Sequence, residues 1–134
     1  YGWGGDGTDT DGDGKGEFKP LPVANSGFMA DQDAKGLAKL VLPDGREMII
    51  VGNNNSAVQA FVTQSSGAYF HPERNDSYAL VTSKGGKTYK HEFYYGSTYL
   101  SQSSRDLKLS TDMISIKVFD FKGNEREIKN SLIP

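Results

Sequence analysis

Residues 9–17, DTDGDGKGE, have the composition of a calcium-binding loop. Four acidic side chains are spaced through this stretch: Asp9, Asp11, Asp13 and Glu17. Calcium takes six to eight oxygen ligands, and carboxylates at alternate positions of a tight loop can point at one centre. Lys15 can offer only its backbone carbonyl. The stretch fits a nine-residue loop, D-x-D-x-D-G-x-x-[DE], but not an EF-hand, because Pro20 stands where the EF-hand needs a bidentate glutamate.

The same stretch also fits a plain glycine-rich turn. Residues 12–18, GDGKGEF, can form a β-turn in which the aspartates are solvated. Clustered carboxylates repel one another without a cation, but in water the cost is small because the charges are screened. Both interpretations use Asp13, so they compete, and the sequence leaves the choice between them open.

A second group of candidate binding residues lies in residues 95–107, YGSTYLSQSSRDL, and in Tyr94 just before them. This segment combines tyrosines with many hydroxyl groups and one arginine. Exposed tyrosines can stack on sugar rings, although core packing is the alternative for most aromatic residues. Arg105 can pin a loop through hydrogen bonds, or it can meet a carboxylate or a sugar. The candidate ligand-binding residues are Tyr94, Tyr95, Tyr99 and Arg105.

No catalytic constellation stands out in the sequence. His71 and His91 have no second histidine at a metal-ligand interval, and we expect both to be ordinary. The serines lie in no G-x-S-x-G motif, so we predict no nucleophile. Hydrolysis of polysaccharide usually needs two carboxylates that flank a cleft. The candidates are Glu92, Asp106, Asp112 and Asp120, and no spacing singles out a pair.

The composition excludes several classes of protein. The chain has 134 residues, a net charge of −2 and no cysteine, so disulfides and thiolate metal sites are ruled out. It has no basic patch with interleaved aromatic residues, which argues against nucleic acid as a partner. No apolar run approaches the roughly 18 residues of a membrane span. One ordinary domain or two very small ones are expected.

Apolar residues alternate with polar ones in several short runs, which predicts antiparallel β-structure. Pro43-Asp44-Gly45 predicts a hairpin turn between strands in residues 36–55, where a helix over 31–42 is the alternative. Further strands are predicted at 57–63, 76–83, 87–96 and 113–121, with turns at 84–86 and 122–124. Two sets of residues are each expected on one strand face: Tyr89, His91, Phe93 and Tyr95, and Ile114, Ile116 and Val118.

Two parts of the chain resemble known families. Residues 84–128 combine a G-K turn, the aromatic strand EFYYG, a SxYLSQSS block and a final I-x-V-x-D-x-x-G strand. This pattern resembles the ASPIC/UnbV domain, found at the C-terminus of bacterial proteins similar to cartilage acidic protein. Upstream, GDGKGEFKPLPVANSGF and residues 36–61 look like a VCBS/FG-GAP propeller repeat. Many such repeats bind calcium, which implies Asp9, Asp11, Asp13, the Lys15 carbonyl and Glu17 as ligands.

We therefore expect an all-β protein with a partial, propeller-blade-like sheet packed against a small C-terminal β-sandwich or barrel. The expected units are a glycine- and aspartate-rich flexible or calcium-loop segment (1–17), repeat strands (18–64) and an ASPIC/UnbV-like domain (65–134). The resemblance implies an extracellular, cell-surface or periplasmic location and no enzymatic activity. The expected role is a calcium-stabilised binding or structural module for a glycan or a surface protein. The alternative is an accessory or catalytic domain of a polysaccharide-processing enzyme.

Overall fold

A computed structural model describes residues 16–96 and 101–133, together with the backbone of 10–12. The elements run in the order β1 (Thr10–Gly12), β2 (Phe18–Pro20), α1 (Val23–Ser26), β3 (Ala34–Val41), β4 (Glu47–Asn53), β5 (Gln59–Val62), β6 (Tyr69–Phe70), β7 (Asp76–Ser83), β8 (Thr88–Glu92), β9 (Leu107–Lys108), β10 (Met113–Asp120) and β11 (Glu125–Ile128). The predicted all-β class is confirmed, since all strand pairs are antiparallel and the helical content is 4%. The described strands do not close into a barrel. Within these same ranges, no helix has the length and apolar character to cross a bilayer.

The first half is built around a three-stranded sheet in the order β3-β4-β5. The two strands predicted over 36–55 are therefore confirmed as β3 and β4, and the alternative helix over 31–42 does not form. One face of this sheet packs on the segment after α1, where Phe28 meets Phe61 edge-on with ring centroids 4.7 Å apart. Val51, which is 1% exposed, completes this small core with Phe28 and Ala30.

The predicted turn at Pro43-Asp44-Gly45 connects β3 to β4 and also contacts the segment between β5 and β6. The Asp44 carboxylate accepts a hydrogen bond from the Arg46 amide at 3.0 Å, and Gly45 has a positive φ of 79°. The Gly45 carbonyl accepts a bond of 2.7 Å from the amide of Gly67. A Cβ at Gly45 would collide with the Gly67 carbonyl, so both backbone angle and close approach require glycine.

The second half forms a four-stranded sheet in the order β11-β10-β7-β8, with the pair β6-β9 beside it. Its core contains seven buried apolar residues: Ala79, Val81, Phe93, Leu107, Leu109, Ile116 and Val118. The alternation predicted for the strand over 87–96 is confirmed for Tyr89 and His91, which stand opposite the core residues Val81 and Ala79. The strand ends at Glu92, before Tyr95, which is 56% exposed and does not continue the predicted face. This larger core is separate from the one around Val51.

The predicted position of Ile114 is wrong. Ile116 and Val118 are fully buried, whereas Ile114 is 53% exposed. The β7–β10 register shifts between Met113 and Ser115, which marks an irregularity of the β-bulge type. Such an extra residue breaks the two-residue alternation, so Ile114 leaves the face that it would share with Ile116 in a regular strand.

One ion pair closes the end of this sheet. Asp76 is 1% exposed, and its two carboxylate oxygens each accept a hydrogen bond of 2.5 Å from the Arg126 guanidinium. The Glu73 amide donates a third bond of 2.7 Å to the same carboxylate. Because an unpaired buried charge is costly, this two-pronged pair fixes the first residue of β7 to β11.

We predict that Arg126→Met lowers the free energy of unfolding by about 3 kcal/mol, since the substitution leaves the Asp76 carboxylate buried without its cation. This loss of stability is at the lower end of the range for a broken buried ion pair, because the Arg126 side chain itself is 35% exposed. Urea unfolding followed by circular dichroism measures the effect.

Lys117→Met is the matched control. It removes the Lys117–Glu125 pair, which also ends on β11 but joins it to β10, and both of its side chains are about half exposed. Its expected effect is well under 1 kcal/mol, as for most surface pairs. Equal losses in the two variants would contradict the role assigned to Asp76.

Candidate functional site

A cleft of about 460 Å³ opens where the two halves of the molecule meet. On one side is β8, the outer strand of the four-stranded sheet, and on the other is β3, the outer strand of the three-stranded sheet. Residues 101–106, which we call the serine segment, lie between them. The cleft is lined by Lys39, Lys90, His91, Glu92, Tyr94, Ser103, Ser104, Arg105 and Asp106.

The serine segment is held along the free edge of β3. The Ser104 amide donates to the Lys39 carbonyl at 2.7 Å, and the Ser104 hydroxyl accepts from the Val41 amide at 3.1 Å. The Ser103 hydroxyl accepts from the Lys39 amide at 3.0 Å, and the Ser101 hydroxyl donates to the Leu37 carbonyl at 2.6 Å. These serines satisfy backbone groups of an edge strand, so no nucleophilic role is needed to explain them.

Arg105 anchors the other side of the serine segment. Its guanidinium donates to the carbonyls of Phe93 and Glu73, both at 3.3 Å, and to the carbonyl of Asp76. It also donates to the Tyr95 hydroxyl at 2.7 Å. Of the two roles predicted for Arg105, the structure shows the first, in which the arginine pins a loop.

The three tyrosines predicted to bind a ligand do not lie together in the cleft. Tyr95 belongs to the Arg105 anchor, because the guanidinium lies 3.9 Å from the centre of its ring and covers that face. The Tyr95 hydroxyl also donates to the Arg74 carbonyl at 2.8 Å. Tyr94 lines the cleft and is 57% exposed, so it remains available to a ligand. Tyr99 lies outside the described residues.

A chain of polar contacts runs along one side of the cleft. The Lys90 ammonium donates to the Glu92 carboxylate at 2.6 Å and lies 4.4 Å from the centre of the Tyr78 ring. The Tyr94 hydroxyl also bonds to Glu92. The bonds from Lys90 and then Tyr94 lower the pKa of Glu92, so this carboxylate is charged at neutral pH.

On the opposite side of the cleft, Lys39 shifts the pKa values of Glu47 and His91. Its ammonium pairs with Glu47 at 3.1 Å. Burial acts to raise the pKa of Glu47, but the Lys39 bond and the charges of Lys39 and Lys108 outweigh it, and the net pKa is lowered. Burial lowers the pKa of His91, and the Lys39 charge adds to this effect. His91 is therefore a neutral imidazole at neutral pH.

Two of the four candidate acids are brought into the cleft. Glu92 and Asp106 line it, and Asp106 accepts from Nδ1 of the exposed His71 at 2.5 Å. Asp112 and Asp120 lie elsewhere. Asp112 lies beside the turn that follows β7, and Asp120 is the last residue of β10, where its carboxylate accepts from the Asn124 amide at 2.9 Å.

Most of the predicted calcium loop falls outside the described residues, including Asp9, Asp13 and Lys15. The backbone of Asp11 stands opposite Lys19 in the β1–β2 pair, and Glu17 is exposed next to that pair. The strands β1 and β2 pair on either side of residues 13–15, which lie outside the described residues. Within the described part of the chain, no three histidine or acidic side chains form a metal-binding group. The calcium site stays a prediction.

The sequence analysis missed several residues that shape the cleft. Asp76 and Arg126 are separated by 50 positions, and Lys39 and Ser103 by 64. An aspartate at the start of an apolar strand is the signal that the sequence offers for Asp76. It is a weak signal, because aspartate before a strand is usually a turn residue.

Comparison of the chain with family models, curated proteins and solved structures found no match. The resemblance to the ASPIC/UnbV domain and to VCBS/FG-GAP repeats therefore stays a prediction.

We predict that His91 titrates below its ordinary pKa of 6.5, and that Lys39→Met moves its pKa upward because the neighbouring positive charge is lost. An NMR titration of the imidazole Cε1 proton measures this. The stability that neutral His91 contributes is present above pH 6.5 and is lost as pH falls through the lowered pKa.

Lys35→Met is the control for this titration, because Lys35 pairs with Asp33 and does not line the cleft. The His91 pKa should stay unchanged in that variant. A midpoint at or above 6.5 in the unsubstituted protein would contradict the burial and the charge assigned to this site.

Proposed function

We propose that the chain is a non-enzymatic carbohydrate-binding module and that the cleft between β3 and β8 is its binding site. The observation that carries this proposal is the exposed Tyr94 ring beside two acidic side chains, Glu92 and Asp106, in one cleft. A volume of about 460 Å³ lies within the range of small-ligand sites.

The chemistry of the cleft suits a sugar better than an apolar ligand. Sugars present a C–H face that stacks on an aromatic ring, and hydroxyls that donate to carboxylates. Tyr94 supplies the ring, and Glu92 and Asp106 supply the acceptors. Lys90, neutral His91 and the serine hydroxyls add donors and acceptors around them.

Polysaccharide hydrolysis is the second candidate, and one observation favours it: Glu92 and Asp106 line the same cleft. A glycosidase needs one of its two acids protonated near neutral pH, which requires a raised pKa. The bond from Lys90 lowers the pKa of Glu92 instead. Asp106 is already bonded to His71. The lowered pKa of Glu92 makes this residue unsuited to the role of the acid, which supports binding over turnover.

We place this module in an exported protein, at the cell surface or in the periplasm, on the resemblance described above. A surface protein is the other partner class that the resemblance implies. A calcium ion at residues 9–17 belongs to the same proposal as a stabilising element, distant in sequence from the cleft residues of β8.

We predict that Tyr94→Ala weakens binding to an oligosaccharide about fivefold or more, since stacking on an exposed ring supplies about 1 kcal/mol or more. The ligand is first selected on an array of neutral and acidic glycans, and affinities are then measured by calorimetry. Tyr89→Ala is the matched control, because Tyr89 is an exposed tyrosine of β8, the strand that ends just before Tyr94, and does not line the cleft.

A reducing-end assay on each bound glycan separates the two candidate functions. Saturable binding without turnover supports the module. Turnover that Glu92→Gln abolishes would establish the hydrolase instead. The carbohydrate proposal fails if no glycan binds, or if Tyr89→Ala and Tyr94→Ala weaken binding equally.

A further inference from the structure

Both lysines that line the cleft are already paired with a carboxylate. The Lys39 ammonium lies 3.1 Å from the Glu47 carboxylate, and the Lys90 ammonium lies 2.6 Å from the Glu92 carboxylate. Lys90 also lies 4.4 Å from the centre of the Tyr78 ring. An anionic group of a ligand that approached either lysine would meet a carboxylate already bound there, and like charges at such a distance repel.

Arg105, the third cation of the cleft, is engaged as well. Its guanidinium donates to three backbone carbonyls and to the Tyr95 hydroxyl, and it covers one face of the Tyr95 ring. A carboxylate that bound the guanidinium with both oxygens would have to replace bonds that anchor the serine segment. Arg105 therefore offers no ready site for an anion.

The charges that surround the cleft balance one another. The three cations face two acids that line the cleft, Glu92 and Asp106, and a third acid, Glu47, that binds Lys39. His91 adds no charge at neutral pH, because burial lowers its pKa. The described residues therefore give the cleft no net charge that would draw an anionic ligand out of water.

Neutral sugar hydroxyls fit this cleft without breaking a pair. A carboxylate accepts several hydrogen bonds and an ammonium donates more than one, so Glu92 and Lys90 keep capacity beyond the bond that joins them. The Lys90 side chain is 48% exposed and that of Glu92 is 38% exposed, so a ligand can reach both. One sugar hydroxyl can donate to Glu92 and accept from Lys90 while the sugar ring lies on Tyr94.

We propose that the cleft selects uncharged oligosaccharides over those that contain uronates. This inference rests on the carbohydrate-binding function proposed above and names the class of glycan within it. A uronate in the cleft adds a negative charge beside Glu92 and Asp106, and no cation that lines the cleft in the described part of the chain is left to compensate it. A neutral sugar with a hydroxymethyl group in place of the carboxylate meets no such repulsion.

Calorimetry with matched ligands tests the selection. The probes are neutral oligosaccharides of glucose, mannose and galactose, each beside a uronate counterpart of equal length in which the C6 hydroxymethyl group is oxidised to a carboxylate. The neutral oligosaccharide that binds best should bind about tenfold or more tightly than its counterpart. The salt concentration is physiological, so that charges beyond about 8 Å are screened.

Glu47→Gln tests the cause of the selection, because it releases Lys39 while Glu47 itself does not line the cleft. The released ammonium should raise the affinity for the uronate about fivefold and leave the affinity for the neutral oligosaccharide unchanged. Glu125→Gln is the matched control: it releases Lys117 and changes the net charge equally, but neither residue lines the cleft. It should change neither affinity.

Glu92→Gln is a second variant, since it releases Lys90, and its readout is the ratio of the two affinities, which should narrow. Circular dichroism checks that every variant is folded. A neutral preference that Glu47→Gln or Glu92→Gln narrows, and Glu125→Gln does not, supports the proposal. A preference that neither cleft variant narrows overturns it. Equal or tighter binding of the uronate overturns it while the carbohydrate-binding function stands, and the absence of binding to any glycan overturns both.

Discussion

The buried carboxylate of Asp76 is the point on which the second half of the structure depends. The Asp76 side chain accepts two hydrogen bonds of 2.5 Å from Arg126 of β11. The backbone carbonyl of Asp76 accepts a hydrogen bond from Arg105 of the serine segment. One residue at the start of β7 thus joins a sheet edge to the segment that forms one side of the cleft. A charge 1% exposed is tolerated here because it is fully paired.

The cleft results from a difference in hydrogen bonding between the edge strands of the two sheets. β3 would expose unpaired backbone groups, and the serine segment covers them with the Ser103 and Ser104 hydroxyls and the Ser104 amide. Arg105 fixes the same segment to the second half through four acceptors. The β8 edge has no such cover among the described residues. The cleft therefore lies between the β3 edge, which the serine segment covers, and the β8 edge, which the described residues leave uncovered.

Features set by local chemistry could be predicted from the sequence. Alternation located β7, β8 and β10, and the Pro43-Asp44-Gly45 turn forms as its residues require. Of the four predicted binding residues, Tyr94 and Arg105 line one cleft and Tyr95 packs on Arg105. Features set by distant partners could not be predicted. Asp76 and Arg126 stand 50 positions apart, and no periodicity reveals a register shift like the one that exposes Ile114.

Arg105, which donates to the Asp76 carbonyl, positions the serine segment against β3. Amide hydrogen exchange in Arg105→Lys tests it most directly, because lysine keeps the charge but cannot reach several carbonyls with one planar group. We expect the Ser104 amide, which donates to the Lys39 carbonyl, to exchange at least tenfold faster, while the amides of β4 keep their protection. Unchanged protection at Ser104 would contradict it.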